Sequence, residues 1–325
     1  MVDGVGVLHN RNDMSMDTEV SKESATGYSN SKPLWKVTAR VAEILGHAHA
    51  LQEDTAWQYY QRQKQSQWTA DEIDFFQDAV DWRNKLSDVE RYFIQELLAS
   101  LWEGHSVLHA CLSRGLSRLH ANLALRYFYT HYLGVLNVHA EVYMRLLSAI
   151  SEGEDFARSN VDFDDVHGAA VVELSRWLDR WMDFEVAGKM LFALVVGETC
   201  WLRVGMKALK PLEDKGLMPG LSMAHALIDR DKGLHLTLVA SLFRNNALSL
   251  PPKAWRRDCV SHALQRVKNS VEGIHEFKQS LQCGLRDMSD VLWALVEALP
   301  RDGEKTKEGR SCIPSTLGYP PKGTD

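Results

Sequence analysis

The stretch that decides the fold class is Ser87-Asp-Val-Glu-Arg-Tyr-Phe-Ile-Gln-Glu-Leu-Leu-Ala-Ser-Leu-Trp102. Its first four residues fit a capping box, in which the Ser87 and Glu90 side chains satisfy free backbone amides at the start of a helix. The apolar residues that follow recur every three or four positions, which places them on one helical face. They are Phe93, Ile94, Leu97, Leu98, Leu101 and Trp102. The stretch therefore predicts a long amphipathic helix.

The same helical period extends outward in both directions. Thr69-Ala-Asp-Glu72 is a second capping box, and helical runs are predicted over residues 37–65, 121–151, 166–183, 184–213, 222–246 and 255–299. Proline is absent between Leu34 and Lys210, and no alternation of period two is sustained. The sequence thus predicts an all-α helical bundle over residues 33–300, between a flexible leader (1–32) and a mobile tail (301–325).

Composition narrows the functional classes. The 325 residues are 45% hydrophobic and 25% charged, with a formal net charge of −6, so a broad nucleic-acid-binding surface is not expected. The longest apolar run, near Met190–Val196, is far shorter than the roughly 20 residues that span a bilayer, so no membrane association is expected. Five widely spaced cysteines without a C-x-x-C pair, and no secretory signal, predict a cytoplasmic protein with free thiols.

Histidines at helical spacing from acidic residues are the first candidates for chemistry. Glu-x-x-His places both side chains on one helical face and is typical of carboxylate-bridged metal sites in bundles. Glu272-Gly-Ile-His275 fits but stands alone, which favours a chance match. Leu136-Asn-Val-His139 and Lys232-Gly-Leu-His235 have the histidine without the glutamate, and Glu198 is an isolated carboxylate in an apolar helix that needs a partner. Taken singly, each histidine suits a hydrogen-bonded core residue better than a metal ligand.

Several motifs in register resemble the small subunit of class I ribonucleotide reductase. The resemblance covers residues 34 to about 250 and fades through 300. It rests on five segments: Trp57-Gln-Tyr-Tyr60, Gln67-Trp-Thr-Ala-Asp-Glu-Ile-Asp74, Leu86-Ser-Asp-Val-Glu-Arg-Tyr-Phe-Ile94, Gly216-Leu-Met-Pro-Gly-Leu221 and Asp229-Arg-Asp-Lys-Gly-Leu-His235.

This resemblance implies a ferritin-like bundle that dimerises. Family members hold two iron or manganese ions on one Asp, three Glu and two His, oxidise a nearby tyrosine to a radical and pass the hole to a large catalytic subunit. Matched by position, His139, His235 and Glu198 fall on ligands, and Tyr143 falls on the radical tyrosine.

Two further positions are implied to carry electrons. The resemblance assigns Trp57 and Asp231 to the tryptophan and aspartate that connect the metal site to the surface. Plain packing remains an open interpretation of Trp57, and a hydrogen-bonded core tyrosine remains one of Tyr143.

Three ligand positions depart from the family pattern. The aspartate ligand falls on His105, and two glutamates fall on Leu136 and Lys232. The family's docking tail has no match, and Tyr319 is only a weak counterpart of its tyrosine. A pair of cations needs several anionic oxygens, so we expect no dinuclear site and no cofactor. Instead we predict a buried ion pair between Lys232 and Glu198.

Binding of a single metal ion at the remnant ligand positions is an alternative that stays open. His105, His139, His235 and Glu198 are four donors of the kind that hold a single zinc or iron ion. Iron or manganese is the expected metal if the remnant site still binds one.

Three functional hypotheses follow. The chain is a structural partner without its own metals, forming a homodimer or a heterodimer with another small subunit and contacting the large subunit. Alternatively, it carries a radical on Tyr143, or it is a repurposed ferritin-like oxidoreductase of specialised metabolism. Whether the chain is itself an enzyme stays open, because fold alone does not decide activity.

Overall fold

The computed structural model describes Gly46 and residues 50–119, 122–151, 167–272 and 277–299. The chain divides into two compact units, Met1–Ala48 and His49–Asp325, and the elements given below belong to the second. Within the described ranges every regular element is helical, which confirms the predicted all-α class. The predicted leader and tail, the boundary at residue 33, His275 and Tyr319 lie outside the described residues.

The helices follow one another in a simple order. They are α1 (Thr55–Gln65), α2 (Phe76–Lys85), α3 (Asp88–Gly115), α4 (Leu123–Ser151), α5 (His167–Trp181), α6 (Ala187–Gly197), α7 (Val204–Ala208), α8 (Lys210–Asp214), α9 (Pro219–Arg244), α10 (Lys253–Glu272) and α11 (Lys278–Ala298). Short 3₁₀ turns cover Ala70–Glu72 and Leu116–Leu119, and a π-helical turn covers Glu198–Arg203. No helix in these ranges is both long enough and apolar enough to cross a membrane.

Both predicted capping boxes form. The Ser87 amide donates to Glu90 Oε2 at 2.9 Å and the Glu90 amide donates to Ser87 Oγ at 3.3 Å, at the start of the 28-residue helix α3. The Thr69 box starts only a 3₁₀ turn. The predicted run 184–213 is interrupted after Gly197, where the π-helical turn inserts an extra residue into the hydrogen-bond pattern.

The start of helix α9 is fixed by two buried aspartates on helix α2. Asp78 accepts from the amides of Gly220 and Leu221, each at 2.8 Å, and Asp81 accepts from the Met218 amide at 2.9 Å. These carboxylates satisfy the free amides of the first turn of α9. The register of α9, and with it the position of its polar residues in the core, is thereby set by α2.

The core lies where α3, α4, α6 and α9 meet. Helix α4 contributes four fully buried aromatic side chains, which are Phe128, Tyr129, Tyr132 and Tyr143. Helix α6 is buried along most of its length. Polar side chains from α3, α4, the π-helical turn and α9 project into this apolar interior, and they form the candidate site.

Candidate functional site

Six polar side chains collect in the middle of the bundle, each at most 2% exposed. They are His105 on α3, His139 on α4, Glu198 on the π-helical turn, and Asp231, Lys232 and His235 on α9. Five of them were predicted as remnant ligand positions, with Lys232 in a carboxylate position. Asp231 was predicted as an electron-transfer residue. The structure therefore brings these predicted residues into one cluster.

Glu198 is the best-bonded member of the cluster. His235 Nδ1 lies 2.6 Å from Glu198 Oε2, and the Tyr132 hydroxyl donates to Oε1 at 2.9 Å. Burial acts to raise the pKa of Glu198, but His235 and Lys232 outweigh it and lower that pKa to about 2. The Tyr129 hydroxyl lies 3.1 Å from the other nitrogen of His235. Glu198 is thus an ionised carboxylate with both oxygens in use.

The predicted ion pair between Lys232 and Glu198 is present, with 3.8 Å between Nζ and Oε1. His235 lies closer to Glu198 than Lys232 does and forms the hydrogen bond, a contact that was not predicted. Among the described residues, Lys232 Nζ has no hydrogen-bond partner. Burial lowers the pKa of Lys232, and the charge of Glu198 opposes that shift.

Asp231 forms the second bonded group. His139 Nε2 lies 3.1 Å from Asp231 Oδ2, and the indole of Trp68 donates to the same oxygen at 2.9 Å. Arg230 donates to Oδ1 at 3.1 and 3.3 Å. Burial acts to raise the pKa of Asp231, but these partners, His139 first, keep it below its usual range. A carboxylate accepts only, so His139 donates from Nε2.

The tryptophan bonded to Asp231 is Trp68 and not Trp57, while the electron-transfer role assigned to Trp57 stays a prediction. Trp57 is half-buried on α1 and packs against Tyr60 and Tyr127, with ring centroids 5.2 and 5.4 Å away. Trp68 stands in the motif Gln67–Asp74, which the sequence analysis quoted without assigning it a role. That motif was the available signal.

His105, Tyr143 and Leu136 form the least polar side of the cluster. His105 donates from Nδ1 to the Leu101 carbonyl at 2.7 Å, and its ring centroid lies 5.6 Å from that of Tyr143. In the described part of the chain, the Tyr143 hydroxyl and His105 Nε2 have no hydrogen-bond partner. Burial raises the pKa of Tyr143, so its phenol stays protonated. Leu136 is 1% exposed and offers no donor atom.

The donor set does not fit a pair of bridged metal ions. Both oxygens of Glu198 and both nitrogens of His235 lie on protein partners, and Leu136 and Lys232 supply no anion. Within the described ranges, no three His, Cys, Asp or Glu side chains are arranged to hold a metal ion. The four-ligand alternative of His105, His139, His235 and Glu198 meets the same obstacle, because two of its members bond each other. The imidazole nitrogens left unpaired in this set are His105 Nε2 and His139 Nδ1.

Sequence reasoning missed two tyrosines. Tyr129 and Tyr132 lie on α4 and hydrogen-bond His235 and Glu198 respectively. Tyr132 lies four residues before Leu136 and seven before His139, a spacing that puts all three on one helical face. That stripe was readable from the sequence.

Taken together, the fold and the cluster define a helical bundle of ferritin-like type with a polar centre in its core. The family model "Ribonucleotide reductase, small chain" matches residues 48–291. The protein therefore belongs to the ribonucleotide reductase small-chain family.

Individual relatives agree with this assignment. The protein is 31% identical over 194 residues to a ribonucleoside-diphosphate reductase small chain of Arabidopsis thaliana, a match that spans 58% of this sequence and 56% of the relative. It is 30% identical over 190 residues to a small chain of the same enzyme from Saccharomyces cerevisiae, spanning 58% and 47%. The matches thus span about half the length of these relatives.

Solved structures agree on the fold. The ribonucleotide reductase Rnr4 homodimer of Saccharomyces cerevisiae superposes with a TM-score of 0.65 at 23% identity, covering 77% of this chain and 80% of that one. A mutant of an R2-like ligand-binding oxidase with a Mn/Fe cofactor superposes with a TM-score of 0.58 at 16% identity, covering 77% and 95%. At these identities the likeness concerns the fold alone, and it confirms the predicted ferritin-like bundle.

Proposed function

We propose that this chain acts in deoxyribonucleotide synthesis as an auxiliary small subunit, without a di-iron centre of its own. The observation that carries the proposal is the bonding of Glu198, whose two oxygens are taken by His235 and Tyr132 while Lys232 occupies a bridging carboxylate position. The bonding of this carboxylate is thus supplied by protein groups alone. It supports a structural role better than metal-based radical generation.

The decisive experiment measures metal content before and after the carboxylates are restored. Purified wild-type protein is expected to hold far less than two iron or manganese ions per chain. The double variant Leu136→Glu/Lys232→Glu places two anionic ligands back on α4 and α9 and is expected to raise metal uptake. Circular dichroism verifies the fold, and Lys253→Glu on the surface controls for added charge. Two ions per wild-type chain would refute the proposal, and unchanged uptake in the folded double variant would refute the placement of the site.

We infer that the partner is a second small subunit, either another copy or a complete paralogue. Helix α4 carries three exposed hydrophobic side chains, Leu123, Tyr127 and Met144, which are 44%, 45% and 48% exposed. Tyr127 also packs with Trp57 and Tyr60 of α1. Leu123 and Tyr127 lie one helical turn apart, and we propose that they mark the strip of α4 that forms the interface. We propose that the protein is cytoplasmic and that residues 33–300 form the assembling unit.

Placing one charged residue in the strip tests this interface proposal. Tyr127→Glu is expected to shift the protein from dimer to monomer in analytical ultracentrifugation. Val172→Glu is the matched control, since Val172 is 44% exposed on helix α5. Equal dissociation by both variants, or by neither, would contradict the assignment of the strip. Co-purification of tagged protein with the large subunit tests the second predicted partner.

A radical on Tyr143 is the second candidate function. Tyr143 is fully buried, and its ring lies near His105, whose unpaired Nε2 is a base in the same interior. The phenol would lose an electron to an oxidant from a partner subunit and its proton to a nearby base. The expected signature is a tyrosyl signal in electron paramagnetic resonance that disappears in Tyr143→Phe. Its absence in the complete assembly leaves the auxiliary role.

A repurposed oxidoreductase is the third candidate carried from the sequence. The sequence assigned it an optional single metal ion on His105, His139, His235 and Glu198, and of these residues His105 and His139 have an imidazole nitrogen without a hydrogen-bond partner among the described residues. Titration of the wild-type protein and of His139→Ala with zinc and with ferrous iron tests it. Binding that is lost in the variant would support it.

A further inference from the structure

A small cleft enters the protein between helices α1 and α4. Its volume is about 120 Å³, and it is lined by Gln63, Trp68, His131, Gly134 and Asp231, among others. The inner end reaches the Asp231 carboxylate, which the indole of Trp68 also bonds. The cleft therefore ends at one of the two bonded groups of the candidate site.

The cleft is lined by buried polar atoms that the protein leaves unpaired. Gln63 is 0% exposed, and among the described residues neither its amide nitrogen nor its amide oxygen has a hydrogen-bond partner. His131 Nε2 is likewise buried and unpaired there. Burying an amide without a hydrogen-bond partner destabilises the folded protein. A cavity of this size has room for several waters, and the polar atoms of Gln63, His131 and Asp231 along it are the partners that ordered water needs.

The outer end of the cleft is kept open by a glycine. Gly134 is exposed in the middle of α4, and a Cβ placed there would meet nothing within 4 Å. Glycine inside a helix is destabilising relative to alanine. No neighbouring atom would clash with a side chain at position 134, so close packing does not require glycine there. The absence of a side chain leaves free space at the outer end of the cleft, which we call its mouth.

We propose that this cleft is a water-binding site through which solvent reaches the Trp68–Asp231 pair. Water held by the Gln63 amide and His131 connects bulk solvent to the buried carboxylate. The site offers Asp231 and His139 a route for hydrogen exchange with bulk solvent. The inference goes beyond the proposed function and holds whichever role Tyr143 has.

The test is hydrogen exchange at the indole N–H groups, followed by NMR on the ¹⁵N-tryptophan-labelled full chain in its native assembly. The Trp68 signal is identified by its loss in Trp68→Phe. Trp177, which is 2% exposed, is the buried reference. Trp68 is expected to exchange at least tenfold faster than Trp177.

Two substitutions at one position separate access from stability. Gly134→Leu plugs the mouth and is expected to slow Trp68 exchange at least tenfold while leaving Trp177 unchanged. Gly134→Ala strengthens the helix equally well but leaves the mouth open, so it is expected to leave Trp68 exchange nearly unchanged. Equal slowing by both variants, or a Trp68 indole that exchanges as slowly as Trp177, would overturn the proposal.

A crystal structure gives an independent readout. At least one ordered water bonded to the Gln63 amide is expected, and Gln63→Met, which keeps the shape but removes both polar atoms, is expected to lose it. A dry cleft in the wild-type crystal would overturn the proposal.

Discussion

The two sides of the Glu198–Lys232 ion pair are expected to respond very differently to removal. Glu198→Gln removes a charge that accepts two hydrogen bonds, at 2.6 and 2.9 Å. It also leaves the ammonium of Lys232 buried without the anion that lies 3.8 Å from it in the wild-type protein. Breaking a buried pair from one side typically costs 3–5 kcal/mol. We expect a loss of about 3–5 kcal/mol in the free energy of unfolding.

Lys232→Met is expected to cost much less, within about 1 kcal/mol of wild type in either direction. Glu198 keeps its bonds to His235 and Tyr132, and the desolvation cost of a buried ammonium is removed. The double variant Glu198→Gln/Lys232→Met is expected to regain about 1–2 kcal/mol relative to Glu198→Gln, since the isolated buried charge is gone.

The assay is urea unfolding followed by far-ultraviolet circular dichroism at one fixed protein concentration, because assembly shifts apparent stability. Lys253→Met, at an ion pair with Glu297 in which the lysine is 32% exposed, is the matched control and is expected to cost less than about 1 kcal/mol. The reasoning is refuted if Lys232→Met costs 3 kcal/mol or more, or if Glu198→Gln costs less than 1 kcal/mol. Either result would mean that Lys232, not His235, holds the carboxylate.

Three further predictions follow from the same contacts. The pKa of Glu198 is lowered from 4.5 to about 2, so its ionisation contributes about 3 kcal/mol to the free energy of unfolding above pH 4.5. That contribution is lost as the pH falls from about 4.5 to about 2. The free energy of unfolding of Glu198→Gln, measured by urea unfolding at several pH values, should therefore change less with pH in that window. Asp78→Ala leaves two buried amides of α9 unpaired and should cost about 2–4 kcal/mol in urea unfolding, against less than about 1 kcal/mol for the exposed Asp74→Ala. Gly134→Ala should raise the free energy of unfolding by about 0.5–1 kcal/mol, measured the same way, and a destabilised protein would contradict the open space seen beside that residue.

The helical architecture was predictable because its causes are local. The capping box at Ser87 and the apolar period that follows lie within sixteen consecutive residues, and both appear in helix α3. The start of α9 was not predictable in the same way. It depends on Asp78, which lies 142 residues before the Gly220 amide that it bonds.

The candidate site was predictable in its membership but not in its pairing. Helical spacing put His139 and Tyr143 on one face of α4, and both lie in the core. Spacing within α9 could not decide whether Lys232 or His235 would hold Glu198, since residues three apart share a face. The choice is made by where Glu198 sits on the π-helical turn, and no periodicity in the sequence announces that turn.

The same limit explains why the sequence did not predict the bond between Trp68 and Asp231. Two tryptophans stand eleven residues apart in two quoted motifs, and Asp231 lies 163 residues beyond the second. The end of α1 at Gln65 and the turn after it separate them, so that only Trp68 reaches the aspartate. Local pattern identified both segments, but an interaction across most of the sequence decided which tryptophan bonds the aspartate.

Charge balance explains why these substitutions belong together. In the ligand set implied by the family resemblance, four carboxylates offset the charge of two metal ions. Here the equivalent positions carry one carboxylate, Glu198, and one ammonium, Lys232, with histidines at three others and Leu136 at the last. Burial lowers the pKa of His105 well below its usual range and lowers that of His139, so neither of them adds a positive charge, and the ammonium of Lys232 faces the carboxylate of Glu198. A dication at these positions would meet the ammonium of Lys232 without a new anion to offset its charge. Replacing Lys232 alone by glutamate makes the net charge of these six positions more negative by two. That substitution, more than any other single change, is therefore expected to restore affinity for a cation.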